Sequence, residues 1–170
     1  ATGVNDTFLS SMDLLPTLAS LAGAEIPKDR VIDGKNITSI LRTGKGDTPH
    51  EFAYYYNGIN LQAVRKGEWK LHLPRRSEDQ PFWSKKPNEK PFEGKNLKNI
   101  GCRGLIALKH PLLFNLNLDM GELTDISHNH PVIVEELLKE AERVRKELGD
   151  IDVIGTDQRV PPFENIQEKI

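Results

Sequence analysis

An apolar stripe along residues 131–148 constrains the fold of this chain more than any other feature. Pro131 suits a first helical position, because its missing N–H would be unpaired there in any case, and Gly149 suits the position after the last turn. A helix with one apolar face needs a second layer against which to bury it. Six side chains recur at the i, i+3, i+4, i+7 spacing of such a face: Val134, Leu137, Leu138, Ala141, Val144 and Leu148.

Short runs elsewhere in the chain have the period of β-strands and supply that second layer. In one of them, Trp69, Leu71 and Leu73 share one face, whereas Lys70 and His72 lie on the other. Asn57-Gly58 and Gly67-Glu68 are typical of tight turns between such strands. The chain therefore predicts an α+β fold, in which a small antiparallel sheet of about four strands is packed by a long C-terminal helix. The predicted strands are 51–57, 61–66, 69–73 and 111–116.

The N-terminal part of the chain predicts helices. Residues 13–22 indicate a short helix that Ser11 or Asp13 can cap, with Gly23 at the position after its end. This helix is apolar nearly all round, so we expect it to expose an apolar patch within a single chain. A second helical turn at 38–42 would end at Gly44.

These elements divide the chain into three parts. We predict a helical lead-in at 1–44, the sheet with its helix at 45–150, and an irregular tail at 151–170 that contains Pro161-Pro162. The chain begins at Ala1 without an export signal, so we expect a processed chain or a part of a longer protein. No apolar run approaches the roughly 18 residues of a membrane span.

Charge is unevenly distributed along the chain. Residues 65–103 hold eleven basic side chains and five acidic ones, a net +6 within a chain of formal charge −2. The near-zero total excludes a protein that coats nucleic acid through bulk electrostatics. A Pro-rich, irregular and basic excursion at 74–110 interrupts the sheet, and two readings stay open. The excursion is interpreted either as a solvated loop or as a surface that receives an anionic ligand.

Motifs for catalysis are missing from the chain. It contains no phosphate-binding G-x-x-x-x-G-K-[ST], no G-x-S-x-G and no H-E-x-x-H. The pair His128 and His130 is compatible with a metal site, but without a nearby third ligand a loop role is favoured. Cys102, the single cysteine, permits neither an internal disulfide nor a cysteine metal cage. We therefore expect no complete active site, hence no catalytic residues and no metal ligands.

Four segments, in order, resemble the C-terminal part of type I sulfatases. They are S-S-M-D-L-L-P-T-L-A-S-L-A-G at 10–23, D-G-K-N-I-T-S-I-L at 33–41, L-Q-A-V-R-K-G-E-W-K-L at 61–71 and P-L-L-F-N-L-N-L-D-M-G-E at 111–122. The last segment is similar to the family signature P-L-L-Y-D-L-x-x-D-P-G-E, with Phe114, Asn115 and Met120 in place of Tyr, Asp and Pro.

The resemblance implies a sulfuric ester hydrolase of the alkaline-phosphatase-like superfamily. Such enzymes carry a formylglycine made from Cys or Ser in a C/S-x-P/A-x-R motif, and a calcium ion, both in a large N-terminal domain. Cys102 stands in G-C-R-G-L and does not match that motif. The chain is thus expected to be an inactive C-terminal subdomain without its own cofactor. Its expected partners are the N-terminal catalytic domain and a sulfated small molecule or glycan, in an exported protein (periplasmic, secreted or lysosomal).

The resemblance also implies which residues take part in function. His72, Arg75 and Arg76 are the expected substrate ligands, because the basic excursion would lie at the rim of a pocket whose sulfate stays anionic. Cys102 precedes the fourth strand at a position comparable to a cysteine that several sulfatases bridge to their large domain. The alternative is a free thiol.

Two other functions stay open. The chain is alternatively a glycan-binding or interaction module without catalysis, or the C-terminal part of a related phosphodiesterase or phosphonate hydrolase. The sequence upstream of such a chain would discriminate between them, since only the sulfatase needs C/S-x-P/A-x-R.

The state of Cys102 is testable by thiol labelling of the intact enzyme with and without reductant. If Cys102 is bridged to the large domain, it labels only after reduction, because a disulfide sulfur does not react with alkylating reagents. Full labelling without reductant would contradict the bridge and weaken the assignment of His72, Arg75 and Arg76 to the substrate mouth.

Overall fold

A computed structural model describes residues 4–75, 108–151 and 153–158. The chain forms two compact units, Ala1–Glu51 and Phe52–Ile170. The first contains the helices α1 (Leu14–Leu21) and α2 (Thr38–Thr43). The second contains the strands β1 (Phe52–Asn57), β2 (Asn60–Lys66), β3 (Trp69–His72) and β4 (Leu112–Asn115), followed by helix α3 (Pro131–Leu148).

In the first unit, a 3-10 turn at Ser11–Asp13 leads into α1 and changes the predicted cap. The capping side chain is Ser10 rather than Ser11 or Asp13, because the first turn is already wound before α1 begins. Ser10 Oγ accepts from the Met12 N–H at 3.3 Å, and Asp13 accepts from the Ser10 N–H at 2.9 Å, which is a capping box. Gly23 adopts the left-handed conformation predicted for the end of this helix.

Asp13 joins three separate segments of the first unit and is fully buried. Besides the Ser10 N–H, its carboxylate accepts from the Lys35 N–H at 2.7 Å and contacts His50 Nε2 at 2.8 Å. Gly34 passes so close to the 3-10 turn that an added Cβ would overlap the Met12 carbonyl. The D-G pair at 33–34 is therefore needed for close approach as well as for turning.

The apolar face of α1 is exposed, as predicted. Leu14, Leu15, Leu18 and Leu21 are each about half exposed, at 53%, 54%, 59% and 49%. Pro16 and Thr17 are the buried side chains of this helix, and Thr17 Oγ1 accepts from the Ile37 N–H at 3.0 Å. A run of leucines on the solvent side of a short helix is unusual for a surface that stays in water.

In the second unit, the four strands form one antiparallel sheet in the order β1-β2-β3-β4, with α3 against one face. The predicted α+β fold is confirmed, and α3 has the predicted bounds. Leu137, Ala141 and Val144 of α3 are buried, whereas Leu148 at its end is 40% exposed. The core comprises Leu61, Val64, Leu71, Leu73, Leu113, Leu137, Ala141 and Val144.

The two ends of the predicted excursion at 74–110 are paired with each other. Arg75 and Leu108 form an isolated antiparallel bridge, with N–H···O distances of 3.0 and 2.9 Å. The chain therefore leaves the sheet and returns to it at neighbouring points. Residues 76–107 themselves, and with them the predicted Arg76 and Cys102, lie outside the described residues.

The core can be tested with a matched pair of leucines. Leu71 is fully buried, whereas Leu118 is 87% exposed. Leu71→Ala is expected to lower the free energy of unfolding by about 2–5 kcal/mol, because the cavity closes only in part. Leu118→Ala is expected to change it by less than about 0.5 kcal/mol. Urea unfolding followed by circular dichroism measures both, and equal losses would contradict the described core.

Candidate functional site

Polar side chains meet on the face of the sheet opposite α3. Lys70 and His72 project from this face of β3, and Glu122 reaches them from the turn after β4. Glu122 Oε1 lies 2.7 Å from Lys70 Nζ, and Glu122 Oε2 lies 2.7 Å from His72 Nε2. All three side chains are at most 16% exposed. We call Lys70, His72 and Glu122 the Glu122 cluster.

Local hydrogen bonds hold Glu122 in place. Asp119 Oδ2 accepts from the N–H groups of Leu123 and Thr124 at 2.6 and 2.8 Å, and the Glu122 N–H donates to the Asp119 carbonyl at 3.0 Å. Glu122 has φ +52°, a left-handed conformation that costs a residue with a Cβ roughly 1–2 kcal/mol. The D-M-G-E turn thus directs one carboxylate back over the sheet.

Aromatic rings flank the Glu122 cluster. Lys70 Nζ lies 4.5 Å from the centroid of the Tyr55 ring, within the range of a cation–π interaction. The rings of His72 and Phe114 meet edge to face, with centroids 5.6 Å apart. Phe114 is fully buried, so water has little access to this side of the imidazole.

Burial and the hydrogen bonds fix the charges of the Glu122 cluster. Burial alone would raise the pKa of Glu122, but the hydrogen bonds from His72 and Lys70 outweigh it and lower the pKa to about 2. Burial lowers the pKa of His72, and the Glu122 carboxylate offsets this only in part. At neutral pH the cluster therefore contains an ionised Glu122 and a neutral His72.

Arg75 lies just beyond the end of β3 and is 5% exposed. Burial lowers the pKa of its guanidinium to about 10, so it stays charged at neutral pH. Its Nη1 donates to the Leu73 carbonyl at 3.4 Å. Its charge also disfavours protonation of His72.

The structure thus brings together two of the predicted substrate ligands, His72 and Arg75, and places both in buried positions. Their role in binding substrate stays a prediction. Sequence reasoning did not single out Lys70 and Glu122, although each carried a signal. Lys70 shares the polar face of its strand with His72, and Glu122 is the last residue of the P-L-L-F-N-L-N-L-D-M-G-E segment.

No metal site is visible in the part of the chain that the structure describes: no group of three or more His, Cys, Asp or Glu side chains converges there. The ring of His130 packs on Trp69, with centroids 4.8 Å apart. None of the helices in the described ranges is long and apolar enough to cross a membrane.

Comparisons with known proteins relate this chain to sulfatases. Residues 48–162 match the family model described as the C-terminal region of aryl-sulfatase. An arylsulfatase of Hemicentrotus pulcherrimus is 37% identical over 125 residues, covering 71% of this chain and 22% of the relative. A steryl-sulfatase of Mus musculus is 37% identical over 117 residues, covering 66% of this chain and 18% of the relative. The chain spans about a fifth of the length of these relatives.

A solved structure from work on glycosaminoglycan metabolism by Bacteroides thetaiotaomicron has a similar fold. Its TM-score is 0.58 at 26% sequence identity, covering 83% of this chain and 26% of that one.

The Glu122 cluster predicts a specific dependence of stability on pH. Because the pKa of Glu122 falls from 4.5 to about 2 on folding, its contribution is complete above pH 4.5 and lost as the pH falls towards 2. The shift corresponds to about 3 kcal/mol. Glu122→Gln should lower the free energy of unfolding at pH 7 and flatten its slope between pH 4.5 and 2.

Glu136→Gln is the matched control for this measurement. Glu136 is also paired with a strand lysine, Lys66, but its side chain is 48% exposed. An exposed pair contributes about 0–1 kcal/mol, so this variant should keep the wild-type slope. Urea unfolding at several pH values measures both variants, and identical slopes would show that Glu122 is not the titrating group.

Proposed function

Since the chain belongs to the family of C-terminal regions of aryl-sulfatases, we propose that it is the C-terminal part of a sulfatase that hydrolyses a sulfate ester. The observation that carries the proposal is the family match over residues 48–162, which include all four strands and α3. In this proposal the chain is inactive by itself and contributes to the substrate mouth.

The reaction chemistry is assigned to a larger N-terminal domain. Calcium and formylglycine are the groups expected there, and the described residues of this chain do not fit a calcium site. The described residues contain no converging acidic ligands, and G-C-R-G-L around Cys102 lacks the C/S-x-P/A-x-R pattern.

The end of β3 and the basic excursion at 74–110 are the proposed contribution to the substrate mouth. His72 and Arg75 lie at the base of the excursion, where the Arg75–Leu108 bridge joins its two ends. A sulfate ester keeps its negative charge through hydrolysis, so a cationic rim favours its approach. Arg75 and Arg76 would supply charge, whereas His72 is held neutral and would supply hydrogen bonding.

A sulfated glycan or an aryl sulfate is the proposed substrate. The relatives are named as arylsulfatase and steryl-sulfatase, and the similar solved structure comes from work on glycosaminoglycans. We further propose an exported protein, in which Cys102 is bridged to the catalytic domain.

The half-exposed leucines of α1 are the proposed contact with the catalytic domain. Covering such a face removes apolar surface from water, at about 25 cal/mol per Å². Leu14, Leu15 and Leu18 follow one another along the helix, so a single apolar groove would bury them together.

Hydrolysis assays on the chain alone and on the complete enzyme, in which the chain follows its catalytic domain, test this proposal. The complete enzyme is expected to hydrolyse 4-nitrophenyl sulfate. The chain alone is expected to show no more turnover than a heat-killed control. It is also expected to bind no calcium tightly, so that calcium titration gives no binding heat in calorimetry. Turnover by the chain alone would contradict its inactivity.

Two parallel measurements separate the alternatives. Hydrolysis of bis(4-nitrophenyl) phosphate in preference to the sulfate would favour the phosphodiesterase. Binding of a sulfated glycan by the chain, combined with an inactive complete enzyme, would favour the binding module.

A further inference from the structure

The Glu122 carboxylate determines which nitrogen of His72 carries the proton. Glu122 Oε2 lies 2.7 Å from His72 Nε2, and Lys70 Nζ donates to Glu122 Oε1 at the same distance. An ionised carboxylate accepts hydrogen bonds and cannot donate them. The proton between the two groups therefore belongs to His72 Nε2.

A neutral imidazole with its proton on Nε2 has a lone pair on Nδ1. The ring stays neutral because burial disfavours its charged form, and Lys70 and Arg75 also repel a second proton. The buried Phe114 ring packs against it. Within the described ranges, the only hydrogen bond of the His72 ring is the one from Nε2 to Glu122. Nδ1 therefore has no hydrogen-bond partner among the described residues.

We propose that Glu122 is a positioning residue that holds His72 as the Nε2–H tautomer, so that Nδ1 accepts a hydrogen bond from a substrate hydroxyl. This inference rests on the proposed function, since it requires the end of β3 to lie at the substrate mouth. In this proposal His72 contacts a hydroxyl of a sulfated sugar and not its sulfate group, because the lone pair on Nδ1 repels an anionic oxygen. Attraction of the sulfate is left to the arginines.

The tautomer is measurable by nitrogen NMR on the full 170-residue chain with ¹⁵N-labelled histidine. At pH 7 the spectrum should show a protonated Nε2 and an unprotonated Nδ1 for His72. In Glu122→Gln the neutral amide offers Nε2 either a donor or an acceptor, so a mixture of tautomers is expected. Glu136→Gln, in which another ion-paired glutamate is changed, should keep the wild-type spectrum.

A His72 protonated on Nδ1, or on both nitrogens, at pH 7 would overturn the proposal. This measurement does not depend on the sulfatase assignment, because it needs neither substrate nor catalytic domain.

Kinetics on the complete enzyme test the proposed hydrogen bond between His72 Nδ1 and a substrate hydroxyl. His72→Gln keeps an amide that can donate to Glu122 but loses the acceptor at the Nδ1 position. The ratio of kcat/KM for galactose 6-sulfate to that for 4-nitrophenyl sulfate, which has no hydroxyl, should fall about 5- to 10-fold, as for one lost hydrogen bond. The loss should appear in KM, and His72→Asn, whose amide oxygen can replace Nδ1, should recover part of it. Glu136→Gln should leave the ratio unchanged.

The outcomes are distinguishable. A wild-type enzyme that hydrolyses neither sulfate would contradict the proposed function, while the NMR result would still decide the tautomer. An enzyme that hydrolyses only the aryl sulfate, or a ratio unchanged in a folded His72→Gln, would overturn the hydroxyl assignment.

Discussion

The packing of α3 on one face of the sheet is the interaction on which the rest of the second unit depends. Leu137, Ala141 and Val144 bury one side of the helix, and the sheet has no other layer on that face within the described residues. Polar contacts then set the position of the helix along the strands. Tyr54 donates to Glu140 at 2.6 Å, and the Tyr56 hydroxyl donates to the Gly149 carbonyl at 3.0 Å.

Because α3 occupies one face, Lys70 and His72 of β3 lie on the other. Alternation along β3 sends Leu71 to the helix and its neighbours Lys70 and His72 to the opposite side. Burying these two polar side chains costs free energy unless each has a hydrogen-bond partner. Glu122 is the partner of both. The candidate site is thus a consequence of how the core is built.

In each of the two units, one carboxylate connects segments that are distant in the sequence. Asp13 in the first unit is fully buried, and Glu122 in the second is 14% exposed. Each of these carboxylates joins segments far apart in the chain. For Asp13, burial would raise the pKa, but main-chain donors and His50 lower it overall. Removing one hydrogen-bond donor from such a carboxylate leaves a desolvated charge without its partner, which destabilises the fold. We therefore expect substitutions of these donors to be poorly tolerated.

Local patterns in the sequence determined the helices, the strands and their order. These patterns are the apolar period of 131–148, the alternation at 69–73 and the glycines at sharp turns. Each extends over a few neighbouring residues, so it can be recognised from the sequence without knowledge of the fold. The resemblance to sulfatases likewise lay in short segments. Only the tertiary structure decided that Glu122 meets Lys70 and His72, which are 52 and 50 residues away. Such a pairing depends on strand register and on the path of a turn, and no local period carries that information.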